Sequence, residues 1–276
     1  MPRPPEPSTP VVLSIAGYDP SSGAGITADI KTAAAHGCYA ATCITALTVQ
    51  TTQGVRAVEP VEAGIVRRTL DELAMDLPIR GVRLGMLGSA EVAQAVADFL
   101  EAQRPAIVVV DPIVRSSSGA ELLTAEGVAV LRKRILPLAT VVTPNLDEAA
   151  ILTGVSAATL PDARRAGELL LATGAQAVVV TGGHLPEPVD TLVWREHGGV
   201  QVRCFPLRRI ASSSTHGTGC AFATSLTCCL ILGMKLPEAV ARAQEYVFRA
   251  IQEAEPLGKG TGPIQHLWTL KKGVRD

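Results

Sequence analysis

The chain has 276 residues, with 25 Lys and Arg against 26 Asp and Glu, 47% apolar residues and 3% aromatic ones. A net charge of -1 provides no field to attract nucleic acid or an anionic bilayer, and so few aromatic rings provide no platform for stacked bases. The six cysteines form no CxxC pair, which excludes a structural zinc site and a disulfide framework and predicts reduced thiols in the cytoplasm. The first ten residues, MPRPPEPSTP, carry five prolines and no apolar run, so residues 1–10 are expected to be a disordered tail and 11–276 a single domain.

From Val11 onward, short β-branched runs alternate with amphipathic segments: VVLSIAG, CITALTV, GVRLGML, AIVVVDP, ATVVTPN and QAVVVTGG. That alternation predicts an α/β fold, a mostly parallel central sheet with helices on both faces. The runs IVVV and AVVVT have no polar alternation, as strands buried on both sides require. TLVWRE and VQVRCF flank the turn HGG at 197–199 and predict a hairpin at the sheet edge. The stretch Cys220–Met234 is uncharged, but its fifteen residues fall short of the ~20 that span a bilayer, so a buried helix is expected. No GxxxxGK of the Walker type occurs.

Ligands of open α/β sheets sit beyond the carboxyl ends of the strands. The segments in that position are AGYDPSSGAG, VQTTQGV, GMLGS, DPIVRSSSG, TPNLDE, TGGH and THGTGC. In the last, Gly217 and Gly219 allow several N–H groups to converge at the mouth of a helix expected from Ala221, a site for an anion; equally, it can be a turn in which Thr218 caps the helix. Cys220 lies near that first turn, where the helix dipole is expected to favour a thiolate. Asp111 ends an apolar strand, a costly position for a carboxylate unless it meets a cation, a partner or water. Asn145 and Glu148 fit either a metal-phosphate site or a helix capping box. The Gln50 amide is complementary to a ring nitrogen beside an amino group, as in an aminopyrimidine. Asp29 suits a substrate hydroxyl or amine, or simply a solvated helix face.

Taken in register, SIAGYDPSSGAGITADIKT, TALTVQTTQGV, LGML, VVDP, VVTPNLDEA, GGH and THGTGC resemble the hydroxymethylpyrimidine and phosphomethylpyrimidine kinases of thiamine biosynthesis, in the ribokinase-like superfamily. The match runs from about Val11 to about Glu253. The resemblance implies a three-layer ribokinase-like fold and phosphorylation of 4-amino-5-hydroxymethyl-2-methylpyrimidine, then of its monophosphate, with ATP and Mg²⁺. It implies Gly217, Thr218, Gly219 and Cys220 as anion hole and catalytic residue, and Gln50, Asp29, Gly17 and Met86 as the pyrimidine site. Asp111, Asn145 and Glu148 would organise magnesium and phosphates, with Asp111 and Glu148 acting directly or through water. Relatives are commonly homodimers.

Sugar kinases of the superfamily carry Asp where Cys220 stands. A phosphate acceptor already holds about -1.5 to -2 charge, and a carboxylate ~4 Å away would repel it by roughly 4 to 8 kcal/mol at an effective dielectric of ~20. A thiol avoids that repulsion. The family generally has Lys at the positions of Thr181 and Ser117 and a small hydroxyl residue at Tyr18. Thr181 would then meet the nucleotide phosphates without a charge, and Arg115 is placed to supply one from another angle. Rival readings are a pyridoxal or pyridoxine kinase and a ligand-binding homologue with weak catalysis.

Overall fold

The computed structural model describes residues 9–116 and 119–270; most of the proline-rich tail, Ser117 and the last six residues lie outside them. One nine-stranded sheet runs in the order β3-β2-β1-β4-β5-β6-β7-β8-β9. The strands are β1 (Val11–Tyr18), β2 (Tyr39–Thr51), β3 (Gly54–Pro60), β4 (Ile79–Leu84), β5 (Val108–Val110), β6 (Val141–Val142), β7 (Ala177–Val180), β8 (Val189–Glu196) and β9 (Gly199–Pro206). The adjacent strands β2, β1, β4, β5, β6 and β7 pair in parallel, whereas β3, β8 and β9 pair antiparallel to their neighbours.

The valine runs follow from burial on both faces. Val110, Val142 and Val178 pack with α2 (Ala63–Asp76), α3 (Ala90–Gln103), α5 (Leu146–Thr153) and α6 (Leu160–Leu171). The intervening Val109, Val141 and Val179 pack on the opposite face with α7 (Thr218–Ile231) and α8 (Leu236–Gln252). Alternate residues therefore enter different apolar layers, and no polar position survives along the strand. On the second face α1 (Gly25–Ala35) also rests against α7, where Ala33, Cys38 and Cys228 meet Val12. This is the three-layer α/β arrangement the sequence predicts.

The β8–β9 hairpin turns at His197 and Gly198 and lies at the sheet edge, as expected. At the opposite edge the expected loop after CITALTV is a strand: β2 continues to Thr51, turns and pairs with β3. Every residue from Cys220 to Cys229 in α7 is buried, which explains its lack of charge. Among the described residues no helix is long and apolar enough to cross a membrane. The helix starts earlier than expected, at Thr218, so Gly217 and not Thr218 is its N-cap, with φ of 87°.

Candidate active site

Two loops meet where β1 and the β9–α7 connection end. Asp19 winds the first around itself: its carboxylate accepts N–H bonds from Ser21 (2.8 Å), Gly23 (3.2 Å) and Ala24 (2.9 Å) and a hydroxyl bond from Ser21 (2.7 Å). Burial alone would raise the Asp19 pKa, but bonds from His216 and Ser21 overcome it and hold it at about 2. The second loop interlocks with the first, backbone against backbone. A Cβ on Gly217 would stand 1.9 Å from the Gly23 carbonyl oxygen; within the first loop itself, one on Gly25 would stand 2.2 Å from the carbonyl oxygen of Gly17. Both glycines also adopt positive φ, a conformation costly for any residue with a Cβ.

This interlock aims the start of α7 at the carboxyl end of β5. No side chain caps the helix and no acidic residue stands in its first turn, so its leading amides and dipole favour an anion. Asp111 follows β5, and its Oδ2 is the atom nearest a Cβ built on Gly219, at 4.0 Å. Cys220, in the same turn, is buried. The expectation of a thiolate is overturned here: burial pushes the thiol up to about 12, further than Arg83 can pull it down. The helix dipole supplies only partial charge, whereas desolvation acts on the whole ion.

Beneath these groups lies Arg83 of β4, fully buried. Its Nη2 donates to Asp111 Oδ2 at 2.8 Å, and its Nη1 lies 3.0 Å from Asp29 Oδ2. Burial alone would lower its pKa, but Asp29, Cys220 and Asp111 hold it above the ordinary arginine value. Asp29 is therefore not exposed to a substrate. Its two oxygens accept bonds from Ser14 (2.5 Å) and Thr224 (2.7 Å), and it anchors the guanidinium from below. Sequence reading missed Arg83, although an arginine inside the apolar run GVRLGML is itself a signal that a buried carboxylate awaits it.

Asn145 and Glu148 form the capping box of α5, Asn145 Oδ1 accepting from Glu148 N–H (2.8 Å) and Glu148 Oε2 from Asn145 N–H (2.9 Å). The box does not exhaust Glu148. Burial, and then the charge of Asp111, push its carboxyl up to about 8, and burial raises Asp111 to about 6. Two buried carboxylates that resist joint ionisation are a donor pair for a hard divalent cation. Among the described residues no group of three or more His, Cys, Asp or Glu could hold a metal, so phosphate oxygens and water would have to complete the shell.

Thr181 bridges to Asn145, and its N–H donates to Pro144 O at 2.9 Å; it stands beside the capping box. Gly17 and Met86 are neighbours, a Cβ on Gly17 falling 3.0 Å from the Met86 sulfur. Gln50 lies within β2 and not beyond it. Its amide is already engaged, with Nε2 3.1 Å from His216 Nε2 and Oε1 3.2 Å from Thr48 Oγ1. Arg115 is exposed and bridges to Glu121. Tyr18 is half-buried and bridges to Gly25 at the neck of the Asp19 loop. Asp19 and His216 were missed as site residues, though Asp before Pro-Ser-Ser-Gly is a turn-forming signal.

The family model described as phosphomethylpyrimidine kinase matches residues 19–265. The hydroxymethylpyrimidine/phosphomethylpyrimidine kinase of Rhizobium meliloti is 43% identical over 94% of this chain and 97% of its own length. The thiamine biosynthesis bifunctional protein ThiED of Geobacter sulfurreducens is 42% identical over 96% of the chain, which spans 54% of that larger protein. Among solved structures, the ADP complex of Bacillus subtilis pyridoxal kinase superposes with a TM-score of 0.84 at 32% identity, covering 94% of this chain and 98% of that one.

Proposed function

The chain belongs to the phosphomethylpyrimidine kinase family, and from that premise we propose that it moves the γ-phosphoryl group of ATP first to 4-amino-5-hydroxymethyl-2-methylpyrimidine and then to its monophosphate, in thiamine biosynthesis. One observation carries the reading. The uncapped start of α7, bent open at Gly217, faces Asp111 beside a thiol that stays neutral. Amides of residues 217–220 bind the transferring group, whose charge is spread over its equatorial oxygens. The neutral Cys220 approaches an acceptor that is itself anionic without repelling it. Because the transition state is loose, the alcohol needs little prior loss of its proton, so a sulfur that is a poor base is sufficient.

Mg²⁺ would be held by Asp111 and Glu148, directly or through water, and would neutralise charge on the phosphates. Arg83 keeps Asp111 oriented toward α7. Asn145 and Thr181 meet the nucleotide phosphates, and Gly17, Met86 and Gln50 wall the pyrimidine. Residues from Val11 on act as a single catalytic domain. The chain works in the cytoplasm, consistent with six free cysteines. Pairing as a homodimer is supported by the apolar Tyr39, Leu47 and Val49 of β2, which are 58%, 50% and 60% exposed.

The likeness to pyridoxal kinase favours a second reading, vitamin B6 alcohols as substrates. The test is incubation with Mg·ATP and each alcohol in turn, read by mass. Mono- and diphosphate from the pyrimidine support the proposal. Monophosphate from pyridoxine alone supports the rival, and binding without any product overturns both.

A further inference from the structure

His216 closes the Asp19 loop, held both by its backbone and by the Nε2 edge of its ring. Its backbone N–H donates to Gly262 O at 2.9 Å and its backbone carbonyl accepts from Ile264 N–H at 3.3 Å. Its Cδ2 abuts Gly23, where a Cβ would fall 2.3 Å away. Its Nε2 is 2.8 Å from Asp19 Oδ2 and 3.1 Å from the terminal amide of Gln50.

Hydrogen counting decides how that amide is turned. Asp19 is ionised and accepts only, so His216 Nε2 carries the proton, whether the ring is neutral or cationic. A nitrogen of Gln50 cannot also donate to it. Thr48 has one hydroxyl proton, given to Tyr18 O at 2.9 Å, so Thr48 Oγ1 can only accept from the amide 3.2 Å away. Turning the Gln50 amide by 180° removes both conflicts: its oxygen then shares the one His216 Nε2 proton with Asp19 Oδ2 in a three-centre bond, the shorter arm to Asp19, and its NH₂ donates to Thr48. The bonds now form a closed circuit, Tyr18 to Thr48 to Gln50 to His216 to Asp19, which begins and ends on adjacent residues of one loop.

We propose that Asp19 and His216 are positioning residues that lock the Gln50 amide in one sense, so that it offers the ring-binding crevice a fixed donor–acceptor edge and selects a ring nitrogen beside an amino group over a pyridine alcohol. The proposal rests on the reading that Gln50 meets the substrate ring. A freely rotating amide presents either sense and discriminates weakly; a locked one leaves an unpaired polar group against the wrong ring, which is where hydrogen-bonding sites gain their selectivity.

Kinetics with His216→Phe, which retains a flat ring against Gly23, and with Gln50→Ala and the double variant test this. For the aminopyrimidine, H216F is expected to lower kcat/KM by about 10- to 100-fold, mainly through KM. The ratio of aminopyrimidine to pyridoxine kcat/KM should collapse, and H216F should add nothing in the Q50A background. Equal losses on both alcohols, or a full H216F effect without Gln50, overturn the proposal. Nitrogen-15 NMR of the ligand-free wild-type protein gives a result independent of turnover and of how H216F folds. A protonated Nε2 on His216 is expected, and a bare Nε2 overturns the lock. Absence of any aminopyrimidine turnover by the wild type would instead count against the function proposed above.

Discussion

Replacing Gly217 by Ala is the sharpest perturbation of the phosphate cradle. The new Cβ would lie 1.9 Å from the Gly23 oxygen, where contacts under 3.0 Å essentially do not occur, so one loop must retreat by more than an ångström. The residue would also keep a φ of 87°, a left-handed strain of about 1 to 2 kcal/mol. In a domain of this size that strain alone lowers Tm by roughly 2 to 8 °C, and a 1 Å misplacement of the amides costs about 100-fold in kcat. Calorimetry and steady-state kinetics on the same preparation measure both. A variant that melts earlier but keeps wild-type kcat would refute the use of these amides in the reaction. One unchanged in both would refute the tight approach itself.

Alkylation of Cys220 by a small reagent, followed by site-resolved mass spectrometry, should accelerate about tenfold per pH unit up to pH 10 with no plateau, because its pKa stands at about 12 instead of 9.0; a plateau centred near pH 8 contradicts the burial argument. Cys220→Asp should impair phosphorylation of the monophosphate at least about tenfold more than that of the alcohol, since like charges repel by ~4 kcal/mol at ~4 Å and an effective dielectric of ~20. Equal loss on both acceptors counts against the neutral-thiol argument. Asp190 is buried, accepts from Gly182 N–H and Gln244 Nε2, and is raised by burial from 3.8 to about 6. The folded state therefore binds its proton more tightly than the unfolded chain, and stability falls as pH rises from about 4 to about 6. Relative to wild type, Asp190→Asn should gain about 3 kcal/mol across that window in denaturant melts. A difference independent of pH would show that Asp190 ionises freely in the fold.

The parallel sheet was legible because its valines face two apolar layers at once, which leaves a continuous run with no polar position to alternate with. The loops that gather at the site were legible for a related reason: each follows such a run. β3 was hidden because Arg56 and Glu59 break its apolar content, and it forms only because β2 extends far enough to pair with it. The Arg83 network could not be read locally, since Asp29, Asp111 and Cys220 reach it from three other segments of the chain. The charge state of Cys220 depended on a competition between dipole and desolvation, and sequence reports only the first. Asn145 and Glu148 fit a capping box or a metal-phosphate site by spacing alone: the capping box forms, and the Glu148 carboxyl also feels the charge of Asp111.

The central claim is that the opening turn of α7 grips the phosphoryl group. A crystal structure with a non-hydrolysable ATP analogue, Mg²⁺ and the pyrimidine monophosphate tests it most directly. The terminal phosphate should lie within hydrogen-bond reach of the amides of Gly217 to Cys220, with the Cys220 sulfur beside the acceptor. Density for that phosphate away from the helix, with these amides facing water or side chains, would contradict the account.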